Sequence, residues 1–393
     1  MGTLVSGSTR RRDPSLLSYI IFVLWLEGGY LASLVVFARV RPATALWQAA
    51  ICIIAIPPLL FLVLRVLNFP KRFLRSLPKA AIRVVGAVAG TAQFMLPWAG
   101  WTVLLWAINR GSMTWAAALR GGASVAGFSY LTGFGLVLLF GARTREVEMS
   151  RFDIPVAGLP EQFDGYRILH MSDLHVSPFN PASEVVEQLA AAREVEADLI
   201  VFTGDLADRG QDRIEAAAEA LVALSARDGI TAVLGNHDNW IGQERVRAAL
   251  GRRGVKVLVN EHVIVRRGAG KLYVAGVNDA SYTEGDDLPA ALEGIPEGDL
   301  VVLLSHAPEI VWKTPAGRPA VVLAGHTHGG QIVLPWVGPL YVPSGVPRRY
   351  ASGLHRLDGQ WLFVTRGMGE VFPNLRIGCP REIALLTLRQ AAA

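Results

Sequence analysis

Two histidines one residue apart, His326 and His328, close an apolar run in the stretch LAGHTHGGQ (Leu323 to Gln331). Groups of similar chemistry end four other apolar runs: Asp173 and His175, Asp205, Asn236 and His237, and His306. The set mixes carboxylate, amide oxygen and imidazole with no thiolate, which suits divalent ions such as Mn, Fe or Zn. Eight candidates exceed one tetrahedral site. They fit two ions about 3.5–4 Å apart that share a carboxylate, an arrangement that clamps an in-line phosphoryl displacement. A phosphodiester is an anion that repels hydroxide, and two cations both neutralise it and lower the pKa of a water held between them.

The elements that must position these groups follow from the apolar pattern. From about residue 150 the runs YRILHMSD, ADLIVFTGD, GITAVLGNHD, KLYVAGVND, LVVLLSHAP, AVVLAGHTH and GQWLFVTRG read as buried strands. Polar helical stretches such as ASEVVEQLAAAREV and QDRIEAAAEALVALSA separate several of them. Ligands at the carboxyl ends of neighbouring strands converge, because their loops lie on one rim.

The series DLH, GDLAD, GNHD, SH and GHTHGG, in that order over Tyr166 to Gln331, resembles the calcineurin-like metallophosphoesterase superfamily. The tail segments GLHRLDGQWLFVTRGMG and RIGCPREIALLTL look like the closing strands of a bacterial subgroup. That subgroup often carries N-terminal membrane segments and includes relatives of the UDP-2,3-diacylglucosamine hydrolases. The resemblance implies a four-layer α/β/β/α sandwich. It places Asp173, His175 and His328 on one metal and Asn236, His306 and His326 on the other, with Asp205 bridging through its two oxygens. His237 matches the histidine that stabilises the transition state or protonates the leaving oxygen, Asp238 would orient it, and Asp208 matches a supporting acid. On an extended chain His326 and His328 would point the same way, one towards each metal. Gly204, Gly235 and Gly325 would turn the backbone behind the ligands, and Gly329 and Gly330 would let substrate approach.

Other groups are less specific. His170, His262 and His355 read as structural. Arg366 and Arg376 are candidates for phosphate or headgroup contacts, or for surface ion pairs. Asn278 and Asp279 suit a turn or the cleft edge. The Pro- and Gly-rich stretch PWVGPLYVPSGVPRRY (Pro335 to Tyr350) suits a surface loop, a cleft wall or a membrane contact through Trp336 and Tyr341.

The first third of the chain differs in kind. Before residue 143 it holds only two acidic residues, Asp13 and Glu27, against 13 Lys and Arg, leaving 31 acidic and 25 basic residues beyond. Four apolar runs (Leu16 to Ala38, Ala45 to Leu64, Val84 to Ile108 and Ala123 to Gly141) approach or exceed the roughly 20 residues that cross a hydrocarbon core. They predict an all-α transmembrane domain of four helices over 1–142, kinked at Pro57, Pro58 and Pro97, followed by the phosphoesterase domain over 143–393. Glu27 is the acidic group at membrane depth. Basic residues at 10–12, 65–83 and 143–151 predict a bacterial inner-membrane protein with its catalytic domain in the cytoplasm. Cys52 and Cys379 suggest neither a disulfide nor a thiolate site. The basic net charge of +5 thus reflects membrane topology, and no nucleic-acid partner is expected beside an acidic second domain. The function expected is two-metal hydrolysis of a phosphodiester or pyrophosphate, with Mn the favoured ion and a lipid-linked or nucleotide-activated lipid the favoured substrate. The alternatives are hydrolysis of soluble nucleotides, or a membrane signalling or scaffold protein with a regulatory phosphoesterase domain.

Overall fold

Alternation along each strand sends successive side chains to opposite faces, and here both faces are apolar. Such strands need cover on two sides. The computed structural model describes residues 146–391 apart from 178–179, 209, 280–284, 335, 337, 340 and 372–375. The four apolar runs, Glu27, the three prolines, Cys52 and the basic residues up to Arg145 lie outside the described residues. Among the described residues no helix is long and apolar enough to cross a membrane.

The chain forms β1 (Val147–Val156), β2 (Arg167–Met171), β3 (Leu199–Phe202), β4 (Ile230–Ala232) and β5 (Lys256–Val257). It continues with β6 (Glu261–Arg267), β7 (Gly270–Gly276), β8 (Leu300–Leu304) and β9 (Val321–Ala324). A short hairpin of β10 (Val333–Leu334) and β11 (Gly338–Pro339) precedes β12 (Gly353–Leu357), β13 (Gln360–Val364) and β14 (Arg381–Gln390). Two mixed six-stranded sheets result, ordered β1-β14-β2-β3-β4-β5 and β12-β13-β9-β8-β7-β6. In the first, β2 to β5 run parallel; in the second, β7, β8, β9 and β13 do. Their carboxyl ends therefore share a rim within each sheet.

Three apolar cores separate four layers. Leu169, Met171, Ile200 and Phe202 face helices α1 (Ala182–Gln188), α2 (Ile214–Leu221) and α3 (Asn236–Gly251). The alternate residues Ile168, Leu199 and Val201 pack against Val274, Val302, Leu304 and Leu323 of the second sheet. Tyr273, Ala275, Val301 and Leu303 on that sheet's outer face meet Leu288 and Ala291 of α4 (Leu288–Leu292). The expected α/β/β/α order is present. Local propensity misjudged one boundary: β4 ends at Ala232, so Asn236 and His237 open helix α3 rather than close a strand.

His170 lies between the sheets. It is fully buried, its Nε2 sits 2.9 Å from Thr203 Oγ1, and its ring meets Phe363 edge-on. Burial pushes this imidazole down to about 3 despite the opposing pull of Asp173. The unfolded chain therefore takes up the proton first, and this contribution to stability is lost as pH falls from about 6.5 towards 3. We expect His170→Gln to flatten the slope. In urea titrations across that window the wild type should lose up to about 1.4 kcal/mol per pH unit that the variant keeps. His262 and His355 are likewise structural, their rings bonding the Ala291 and Ser352 carbonyls.

Candidate active site

The candidate ligands stand on the rim, and most are held by unusual backbone. Asp173 (φ 54°), His175 (φ 43°), Asp205 (φ 59°), His326 (φ 68°) and His328 (φ 52°) all occupy the left-handed region. Non-glycine residues enter it at a cost, and such residues concentrate at functional sites. This corrects the expectation of an extended chain at His326 and His328. Thr327 between them is helical, and His328 begins a 3-10 turn. The two rings diverge because the backbone coils.

Divergence delivers each ring to a different group. His328 Nε2 lies 3.2 Å from His175 Nε2 and 3.4 Å from Asp173 Oδ1. His326 Nδ1 lies 3.1 Å from His306 Nε2, which is 3.0 Å from Asn236 Oδ1. Asp205 Oδ2 is 3.3 Å from both His175 Nε2 and His306 Nε2. One oxygen thus faces both groups. Asp205 Oδ1 accepts the His237 N–H at 2.8 Å, which fixes the orientation of the carboxylate. A bond from His306 Nδ1 to the Thr203 carbonyl, 2.7 Å long, ties the two sheets together behind the site.

The donor set suits divalent cations. Asp173, His175 and His328 present one converging set of ligand atoms, and Asp173, Asp205 and His306 another. Asp173 Oδ1 is buried without a hydrogen-bond partner, which is costly unless a ligand satisfies it. The pocket is also built to hold positive charge. Burial alone would raise the Asp173 and Asp205 carboxyls, yet the surrounding histidines hold both below the usual carboxylate range. Against their own burial, His175 is pushed up to about 10 and His306 well above its ordinary value by those carboxylates. His328 is pushed down by burial, with His175 and Arg376 adding to the effect. His326 is pushed down by burial and then by His306. Both keep lone pairs.

Comparison with known proteins agrees with this chemistry. The calcineurin-like phosphoesterase profile matches residues 166–330. Phosphodiesterase YaeI of Escherichia coli is 30% identical over 231 residues, covering 57% of this chain and 82% of that protein. The chain belongs to this family. It is a metal-dependent phosphoester hydrolase. The uncharacterized metallophosphoesterase YkuE of Bacillus subtilis is 29% identical over 276 residues, 69% of this chain and 94% of that one. A Danio rerio relative named transmembrane protein with metallophosphoesterase domain is 31% identical over 252 residues, 61% of this chain and 56% of that longer protein.

Within this phosphoesterase the candidate catalytic groups divide differently from expectation. His237 Nδ1 lies 3.1 Å from Asp208 Oδ1, and its ring packs on Trp240 with centroids 4.4 Å apart. Asp208, not Asp238, contacts the imidazole. Asp238 is fully buried and accepts the backbone N–H groups of Asp205, Leu206 and Gly235. It fixes the loop of Asp205 to the start of α3. Burial and then Asp205 push its carboxyl up to about 6, against those bonds. Trp240 was not singled out in the sequence, although its position one helical turn after His237 offered a signal.

The arginines and glycines also differ. Arg376 is fully buried and donates to the carbonyls of His328, Arg366, Gly367 and Gly369. It is neither a surface ion pair nor open to phosphate. Arg366 pairs with Glu382 and Glu148. A Cβ on Gly329 would meet Cys379 and Arg366, and one on Gly330 would meet Pro339, so both glycines are packed rather than open to substrate. Gly325 is needed for space: a Cβ there would lie 2.0 Å from Ser172 Oγ and 2.5 Å from Asp173 Oδ2. Asn278 caps the Asp279 N–H, a turn role.

Proposed function

We propose that this chain is a membrane-anchored two-metal phosphodiesterase that acts on a lipid-linked or nucleotide-activated lipid substrate. The observation that carries the two-metal reading is Asp205 Oδ2, equidistant at 3.3 Å from His175 and His306. In this reading Asp173, His175 and His328 hold one ion, Asn236, His306 and His326 the other, and Asp205 serves both, with Mn the favoured metal. Bound there, the ions supply charge neutralisation and an acidified water. The protein's own contribution is positional. Left-handed backbone and Asp238 hold the ligands rigidly, and Asp208 orients His237 to stabilise the developing charge or to give a proton to the leaving oxygen. The four apolar runs, and a relative whose name joins a transmembrane protein to this domain, favour a membrane enzyme, and the basic residues at 10–12, 65–83 and 143–151 favour a cytoplasmic site on a bacterial inner membrane. Four spans exceed what a tether needs, which favours a substrate that itself resides in the bilayer.

The test is hydrolysis by the full chain in detergent with Mn, using bis-p-nitrophenyl phosphate and a UDP-linked diacyl sugar side by side. The expected result is faster turnover of the lipid, lost on chelation and in Asn236→Ala. Turnover of the generic diester alone would refute the lipid assignment and leave the metal chemistry standing. Asp208→Asn should lower kcat about 10–100-fold at nearly constant KM, the scale of a general acid that has lost its orientation. An equal loss in kcat/KM through KM alone would refute that role.

A further inference from the structure

The surface beside the site carries aromatic side chains that the fold does not bury. Trp336 is fully exposed, Tyr341 is 71% exposed and Trp312 50% exposed. Trp336 sits in the turn between β10 and β11 at φ 63°, a conformation that a bulky residue adopts only against steric cost. This hairpin is attached to the catalytic rim. Pro339 and the Tyr341 carbonyl lie against Gly330, and the Ala351 carbonyl accepts the Thr327 hydroxyl. Both ends of the segment therefore rest on the turn carrying His326 and His328. Ser344 and the Gly345 N–H bond Glu309, three residues after His306. Trp312 packs near Tyr350, over which the exposed Arg349 lies at 4.6 Å. Exposed Trp and Tyr with neighbouring Arg is the composition of protein surfaces at a bilayer's headgroup level.

Topology gives an independent reason for a bilayer at this rim. β1 is parallel to β14, and β14 is antiparallel to β2. The beginning of β1 therefore lies on the same rim as the carboxyl end of β2, with β14 between it and Asp173, and Glu148 pairs there with Arg366. The last apolar run ends at Gly141 and β1 begins at Val147. Five intervening residues reach about 18 Å when fully extended. A chain leaving a membrane at Gly141 thus enters the domain on the catalytic rim, at short range.

We propose that the Trp336 hairpin, with Tyr341, Trp312 and Arg349, docks the catalytic rim onto the surface of the bilayer, so that the site opens towards lipid headgroups. The proposal rests on reading the apolar runs as membrane spans, and the experiment separates the two. The full chain carrying Cys52→Ser and Trp336→Cys is labelled at residue 336 with an environment-sensitive fluorophore. It is then reconstituted into vesicles of phosphatidylethanolamine and phosphatidylglycerol, with and without spin-labelled acyl chains. A second preparation with Cys52→Ser and Glu196→Cys places the label before β3, at the opposite end of the parallel strands. Cys379 is buried, and unsubstituted-position background is read from Cys52→Ser alone. The expected result is a blue shift and loss of emission in spin-labelled vesicles at 336 and neither at 196. Protein that floats with the vesicles yet shows no quenching at 336 overturns the docking and leaves the spans standing. A blue shift at 336 without quenching means a protein surface covers the hairpin and also overturns it. Protein that does not float overturns both.

Discussion

Asp205→Asn is expected to fold as the wild type does and to lose turnover by about 10³-fold or more, which corresponds to roughly 4 kcal/mol of transition-state stabilisation. The side chain keeps its shape, so the oxygen that accepts the His237 N–H still has a counterpart. What disappears is the negative charge that faces His175 and His306 together. Without it neither candidate set can hold a cation beside the other at short range, because the repulsion between two divalent ions is unshielded. The protein should therefore carry one equivalent of metal or fewer when assayed by elemental analysis, against two for the wild type. Circular dichroism checks that the fold is retained. Asp205→Ala should do the same and add a loss of stability, since it also strands the His237 N–H. An Asn variant with both metals and more than a tenth of normal turnover would remove Asp205 from the shared position.

The strands of this fold were legible as short apolar runs bounded by turn residues, and each expected strand from YRILHMSD to GQWLFVTRG is present; their stacking into four layers was implied by the resemblance carried in the ligand motifs. The candidate ligands were legible for a related reason: polar groups at the ends of buried strands have few structural uses. What escaped was conformation and long-range partnership. Nothing in the letters HTH says that both histidines adopt a left-handed backbone, since a packed surrounding and not residue type enforces it. GNHD looked like the end of a strand because its apolar neighbours, Val233 and Leu234, continue the run after the ladder has stopped. Asp238 seemed the partner of His237 because it is adjacent, but adjacent residues on a helix face apart. Asp208, 29 positions earlier, reaches the ring instead.

Arg376→Met should be the most destabilising single substitution outside the ligand set. The guanidinium is fully buried, and among the described residues it pairs with no carboxylate. Its donors go to backbone carbonyls from two segments. One segment is the turn of His328. The other is the loop 366–369, whose Met368 N–H bonds the Ser172 carbonyl and whose Gly367 packs on Asp173. Arg376 therefore holds His328 and the Asp173 loop, the two sides of one candidate metal set, at a fixed separation. A thioether of similar length fills the volume but donates nothing. The His328 and Gly367 carbonyls keep the N–H groups of Gln331 and Glu382; the Arg366 and Gly369 carbonyls are stranded at about 1–3 kcal/mol each, so a loss of about 3 kcal/mol is expected. In a domain of this size that lowers the thermal midpoint by roughly 6–12 °C. Arg376→Lys, with one ammonium in place of a planar fork, should recover part of the midpoint but little of the geometry. Measured well below the midpoint, where both variants are folded, metal affinity should fall about 10–100-fold, as it does when groups that orient ligands are removed. The added His328→Gln substitution discriminates the interpretation. If Arg376 acts through His328, its loss in the His328→Gln background should cost stability but little further affinity. Full additivity in metal affinity would make Arg376 a support of the fold alone.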